Sequence, residues 1–244
     1  MRKWRAIVIL KFIGTGSAFN TKLGNNGAYI KNGENLLLID CGSSTFSKIQ
    51  EIGLLDGIKS VLVLMTHTHP DHVGSLGDLI FYGYYAMGEM KKPSVTVIAP
   101  PNLEIEDVLN AVGVKKDTYY LCDITDYTFI SKIGIGVIPT RVEHVEELNC
   151  YGYVIFKRDI VAYYSGDCYE IPDNILESLN RGDFDYFYQD TSKAHYDGNV
   201  HLSLHKLTEL VDIKYRDRVY CMHLDEKFDI EEAESLGFNV ASNE

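Results

Sequence analysis

The chain has no Cys-x-x-Cys pair, and its five cysteines, at positions 41, 122, 150, 168 and 221, are scattered and odd in number. That argues against a thiolate zinc knuckle and predicts a reduced, cytoplasmic protein. No apolar segment is long enough to cross a bilayer. The N-terminal Met1-Arg2-Lys3-Trp4-Arg5 ahead of Ala6-Ile7-Val8-Ile9-Leu10 has the charge order of a secretory signal. Lys11 breaks that run, however, and Gly-Thr-Gly stands where a cleavage site would be, so a first strand ending at Gly14 is predicted instead. Basic residues are in short supply: 23 Lys and Arg against 35 Asp and Glu, a formal charge of −12. A broad basic face for gripping long nucleic acid is thereby disfavoured. A small anionic substrate is not, because bound cations reverse the local field. There is no Gly/Ser/Pro-rich linker and no low-complexity tract, so residues 1–244 are expected to form one domain with an ordinary globular composition, 45% hydrophobic and 24% charged.

The chemistry is concentrated in Thr66-His67-Thr68-His69-Pro70-Asp71-His72, directly behind the apolar run Val61-Leu62-Val63-Leu64-Met65. Neutral imidazole and ionised carboxylate suit zinc and related divalent ions. Histidines two apart at the end of a strand share a face and can aim at one point. The Asp71-His72 pair, past a chain-bending proline, can serve a second point close by. Pro-Asp alone is an ordinary turn opening, but a turn has no need of three imidazoles behind a core strand.

His-x-His-x-Asp-His after an apolar strand resembles the metallo-β-lactamase fold. The opening Phe12-Ile13-Gly14-Thr15-Gly16-Ser17-Ala18 and the phrase Leu38-Ile39-Asp40-Cys41-Gly42 resemble its ribonuclease Z-like branch, over nearly the whole chain. The resemblance implies an α/β four-layer αββα sandwich, two mixed sheets face to face with helices outside, and a centre for two divalent ions, zinc first, with manganese or cobalt as alternatives. His144, Asp167 and His223 each follow a predicted strand. They complete an assignment of His67, His69 and His144 to one ion, Asp71, His72 and His223 to the other, and Asp167 between. Asp71 would also orient the nucleophile. The resemblance places Asp40 beneath the metal loop as a support, and His201 where it would protonate the leaving group. His205 is expected to face solvent; His195 lies in a polar loop, Ser192 to Asn199, that could cover the site.

Elsewhere the pattern predicts a hairpin of 28–31 and 36–39 turning at Asn32-Gly33-Glu34-Asn35. A helix over 46–55 follows, capped by Ser43 or Ser44. Residues 74–87 read as an aromatic-rich helix, either fully buried or presenting a face for a dimer. Further strands are expected at 95–98, 119–121, 129–130, 133–138, 151–156, 160–164, 185–188 and 219–222, with a helix at 104–112. The Gly14-Thr15-Gly16-Ser17 loop lacks the Walker lysine. It either holds a phosphate oxygen or is a plain strand-to-loop turn.

Asp167 follows His144 by only 23 residues, which leaves no room for the exosite arm of transfer-RNA-processing relatives and favours a compact phosphodiester. The Gly14-to-Asn20 opening and Gly198-Asn199-Val200-His201-Leu202-Ser203 resemble phage anti-Pycsar proteins, a family that degrades cyclic pyrimidine nucleotides. The expected activity is therefore a metal-dependent phosphodiesterase acting on a small cyclic nucleotide such as cyclic CMP or UMP. Alternatives are a ribonuclease Z-like RNA 3′-end endonuclease and a lactone or thioester hydrolase. The family resemblance and the aromatic helix suggest a homodimer; the lack of a spanning segment and the net charge predict no membrane and no extended nucleic acid as partner.

Overall fold

A computed structural model describes residues 9–243. Six strands form the first sheet: β1 (Lys11–Gly14), β2 (Gly27–Asn32), β3 (Asn35–Ile39), β4 (Ser60–Leu64), β5 (Val95–Ala99) and β6 (Tyr120–Asp123), hydrogen-bonded in that order. Seven form the second: β7 (Thr128–Ile130), β8 (Ile135–Val142), β9 (Cys150–Lys157), β10 (Ile160–Tyr164), β11 (Tyr186–Asp190), β12 (Val219–Met222) and β13 (Asn239–Val240), also neighbours in sequence order. Both sheets are mixed. β1 to β3 are antiparallel and β3 to β6 parallel, while β7 to β10 are antiparallel and β10 to β13 parallel.

Side-chain alternation divides the interior into three layers of apolar contact. Phe12, Ile30, Leu37 and Leu64 of the first sheet meet Val137, Tyr153, Tyr164 and Tyr188 of the second. The outer face of the first sheet, through Leu36, Leu38, Val61 and Val63, packs on α1 (Thr45–Glu51), α3 (Leu76–Tyr82) and α4 (Ile105–Ala111). The outer face of the second, through Tyr163 and Phe187, packs on α5 (Asp173–Arg181), α6 (Leu204–Leu210) and α7 (Ile230–Ser235). This is the expected αββα sandwich. β4 and β11 are buried along their whole length, which is why β4 reads as an unbroken apolar run rather than an alternating one.

Several local expectations need correcting. The 46–55 helix ends at Glu51, and Ser44 occupies its N-cap position without capping it. The Ser44 hydroxyl instead donates to Asn25 Oδ1 at 2.9 Å, and Ser75 Oγ, from another loop, accepts the Phe46 N–H. The 74–87 helix starts at Leu76 and widens into a π-helical turn over Gly83–Met87. It is not fully buried: Tyr85 stands exposed, and Phe81, Tyr82 and Tyr84 are half-buried. The short α2 (Pro70–Val73) precedes it. α5, α7 and β13 lie where no element was expected. The predicted N-terminal strand begins at Lys11, with Ile9 and Leu10 buried ahead of it; residues 6–8 of that prediction lie outside the described residues. No helix among the described residues is long and apolar enough to cross a membrane.

The Gly14–Ser17 loop is a strand-to-loop turn. The amides of Thr15, Gly16 and Ser17 donate to the carbonyls of Leu23, Gly24 and Leu224, so they are not available to a phosphate. Its glycines are required by proximity rather than by φ, since a Cβ on Gly14 would lie 2.2 Å from the Asn25 carbonyl oxygen.

Loop 40–44 is laced to the 66–75 loop by Cys41 N–H to His72 O at 2.7 Å, Ser43 N–H to Pro70 O at 3.1 Å and Ser75 N–H to Cys41 O at 3.1 Å. Gly42 lets the two backbones touch, because a Cβ there would sit 1.8 Å from the Asp71 carbonyl oxygen. Gly42→Ala is therefore expected to destabilise the fold by ~1–3 kcal/mol through overpacking against fixed backbone. Thermal melting checks this, and an unshifted midpoint would mean the two loops do not pack this closely.

Candidate metal centre

Parallelism brings the chemistry to one edge. β8, β10, β11 and β12 run in one direction within the second sheet, and β3 and β4 share a direction in the first. Asp190 ends β11, and the segments that follow the other strands carry His144, Asp167, His223, Asp40 and His67. The structure brings all seven proposed donors together there: the ligand atoms of His67, His69 and His144 lie within 4.8 Å of one another, as do those of Asp71, His72, Asp167 and His223.

Asp167 joins the two groups. One oxygen stands 3.3 Å from His72 Nε2, and the other lies 3.3 Å from His223 Nε2, 3.8 Å from His144 Nε2 and 3.9 Å from His67 Nε2. Gly166, at φ +62°, makes the sharp exit from β10 that aims this side chain inward. Burial alone would push the Asp167 carboxyl up; the imidazoles of His223 and His72 outweigh it and hold Asp167 well below the usual carboxylate range. His67 goes the other way, held low by burial and then by the neighbouring His72, which keeps it in the neutral form that ligates metal.

The outward nitrogens are pinned by a second set of groups. His72 Nδ1–H donates to Asp40 Oδ2 at 2.8 Å and His144 Nδ1–H to the Val200 carbonyl at 2.8 Å. Thr66 donates its hydroxyl to Asp40 at 2.8 Å and accepts from His67 Nδ1 at 3.0 Å, while its amide donates to the other Asp40 oxygen at 2.8 Å. Each bond fixes a tautomer and turns Nε2 toward the centre, as outer partners of metal-ligating histidines do. His69 differs, presenting Nδ1 to His67 and His144 at 3.1 and 3.3 Å. Asp40 and His223 hold left-handed backbones, φ +65° and +57°. That conformation is uncommon outside glycine and is characteristic of functional sites held by their surroundings.

The donor set fits divalent ions. His72 Nε2 and Asp167 Oδ1 are buried and face each other at 3.3 Å without making a well-formed hydrogen bond, an arrangement that a cation shared between them would satisfy. Four imidazoles and two carboxylates in these groups, plus His69 at the half-buried rim, are hard-to-borderline donors suited to zinc or manganese.

Asp190 was missed in the sequence. It is buried at the end of β11, accepts from His201 Nδ1 at 2.7 Å and from the Cys168 amide at 3.0 Å, and approaches His223 Nδ1 to 3.3 Å. The signal was present, because an acid ending an apolar strand is the same grammar as Asp40 and Asp167. His201 is half-buried at the rim, with burial pushing it down and Asp190 more than compensating, so that it sits above the ordinary imidazole range. It lines a cleft of 440 Å³ with His69, Asp71, His144, Asp167 and His223. His205 is exposed as expected, 3.5 Å from Glu209. His195 donates or accepts at Ser203 Oγ, 2.8 Å away, and its loop walls an adjoining cleft rather than covering this one.

Strand ends from both sheets of an αββα sandwich, meeting in a His/Asp constellation of this kind, define a protein of the metallo-β-lactamase fold. A crystal structure of a diphosphatase from the PhnP family superposes with a TM-score of 0.73 over 96% of this chain and 94% of that one, at 19% identity. The family follows from sequence. The model for "Anti-Pycsar protein Apyc1" matches residues 8–241, and the chain belongs to that family. Two curated relatives carry the same name: one from Paenibacillus sp. (strain J14), 42% identical over 82% of this chain and 83% of its own, and one from Bacillus phage vB_BsuM-Goe3, 29% identical over 88% of each.

Replacing the outer acids separates their duties. Asp40→Asn and Asp190→Asn are each expected to weaken zinc binding by ~10–100-fold, measured by competition with a chromophoric chelator. Affinity equal to wild type in both would remove these carboxylates from any role in holding the centre.

Proposed function

We propose that this protein is a metal-dependent phosphodiesterase that opens a small cyclic nucleotide of the cyclic CMP or UMP type. The observation that carries this reading is His201, whose Nδ1 is tied to buried Asp190 and which lines the same cleft as His69, Asp71, His144, Asp167 and His223. A thiolate leaves a thioester without an acid, whereas the departure of a ribose alkoxide from phosphorus benefits from one. The family name supports a cyclic nucleotide signal as the substrate.

In this reading His67, His69 and His144 would hold one divalent ion and Asp71, His72 and His223 the other, with the Asp167 carboxylate available to both groups. Zinc is the first choice and manganese the second. Such a pair supplies an ionised water near neutral pH and offsets charge on a phosphoryl oxygen. The protein's own groups do the rest. Asp167 and Asp71, ionised against their imidazole neighbours, fix where the nucleophile stands. His201 delivers the proton from Nε2 to the departing ribose oxygen, and Asp190 keeps that ring in the tautomer and orientation the transfer requires. The 440 Å³ cleft admits a mononucleotide, and the −12 charge suits a compact substrate over a long one. Five free cysteines, four of them buried, suit a cytoplasmic setting. A homodimer belongs to the proposal, supported by the exposed Tyr85 and Met90 after α3.

Zinc-loaded protein is expected to hold about two equivalents per chain and to convert cyclic CMP or UMP to a linear monophosphate, followed by phosphorus NMR. His201→Ala should lower kcat on that diester by ~10²–10⁴-fold while leaving any thioester turnover nearly intact. Intact cyclic CMP, UMP and AMP after incubation with the loaded protein would defeat the proposal.

A further inference from the structure

Phe19 is 87% exposed, the highest value among the exposed large apolar side chains described. It forgoes the burial that normally rewards a phenylalanine. Its loop is nevertheless firmly held. The Ser17 amide and the Asn20 side-chain amide both donate to the Leu224 carbonyl at 3.0 Å, Asn20 N–H donates to Ser17 O at 3.0 Å, and Thr21 N–H donates to Phe19 O at 3.0 Å. Leu224 directly follows His223, so the loop is tied to the segment bearing one of the proposed ligands. The ring lines the cleft that also contains His69, Asp71, Asp167 and His201. Tyr169 and Tyr196 line the adjoining cleft, which includes neither Asp71 nor Asp167.

We propose that Phe19 is the platform on which the nucleobase stacks while the cyclic phosphate lies at the seven-donor centre. The inference rests on the cyclic-nucleotide reading above and names the residue that selects a nucleotide over a phosphodiester lacking a base. A flat apolar ring on a fixed loop offers a π-face to any base, and such stacking tolerates base identity. Phe19 therefore sets the requirement for a base, and the choice between pyrimidines lies elsewhere. Because the stack is equally present before and during the chemical step, it contributes to KM and not to kcat.

The test compares metal-loaded wild type, Phe19→Ala, Phe19→Trp and Tyr196→Ala on cyclic CMP, cyclic UMP and 1-deoxyribose 3′,5′-cyclic phosphate, which carries the same diester without a base. Calorimetric binding of cyclic CMP to each protein reads the stack without turnover. Phe19→Ala should raise KM and Kd for both nucleotides by about ten- to a hundredfold, leave kcat and the base-free substrate unchanged, and melt like wild type; Phe19→Trp should restore affinity. Unchanged Kd in Phe19→Ala overturns the proposal. So does an equal loss on the base-free substrate, a loss confined to Tyr196→Ala, or a change in oligomeric state that accompanies the loss. Wild type that binds cyclic CMP with Phe19-dependent affinity yet hydrolyses none of the three would defeat the phosphodiesterase reading and leave the platform standing.

Discussion

Four imidazoles stand within 4 Å of the buried Asp167 carboxylate. The rest of the molecule can be understood as the scaffold this arrangement requires. An unpaired carboxylate at that depth would be expensive, and so would a cluster of imidazoles with no anion among them. Each group makes the other tolerable, provided the geometry cannot relax. Two sheets with parallel segments supply that rigidity. Successive strands end on the same edge, and the residue just past each end is held by the ladder behind it while remaining free to turn inward.

Rigidity of position is not enough, because an imidazole can rotate and exchange tautomers. Here the outer layer decides. Asp40 fixes His72 directly and His67 through Thr66, and Val200 fixes His144. Asp190 stands between His201 and His223. A carboxylate shared by a proposed ligand and the proposed proton donor couples two functions that the sequence separates by 22 residues. The left-handed backbones at Asp40 and His223 belong to the same account. Unfavourable torsions persist there because the surrounding hydrogen bonds leave no alternative.

Much of this was legible in the letters, for a physical reason. Metal chemistry demands particular side chains, and strand ends are marked by abrupt loss of apolar character, so His67, Asp167 and His223 announce themselves twice. The β2–β3 hairpin was equally plain, with Gly33 taking the positive φ its turn needs. What stayed hidden depends on partners distant in sequence. Ser44 looks like a cap until Asn25 is seen beside it. The amides of the Gly14–Ser17 loop look free until the carbonyls of Leu23, Gly24 and Leu224 arrive opposite them. α5 was overlooked although Ile175, Leu176 and Leu179 stand at helical spacing; β10 and β11 provide the face that buries Ile175 and Leu179. Asp190 ends its strand as Asp40 does, but nothing beside it in the sequence marks it out, because its partners His201 and His223 lie 11 and 33 residues away.

The acidic surface and the histidine-rich cleft answer different demands. A net charge of −12 repels polyanions at distances comparable to the screening length. Within the cleft the field is set by imidazoles and by whatever cations the donors hold, over distances too short for salt to screen effectively. A long nucleic acid must meet the outer field along its whole length, whereas a mononucleotide carries one phosphate and meets it briefly. On the proposed reading, the same charge distribution would favour a compact substrate over a long one. The short His144-to-Asp167 connection is filled by the β9–β10 hairpin, and on that reading it would offer little surface to offset such repulsion.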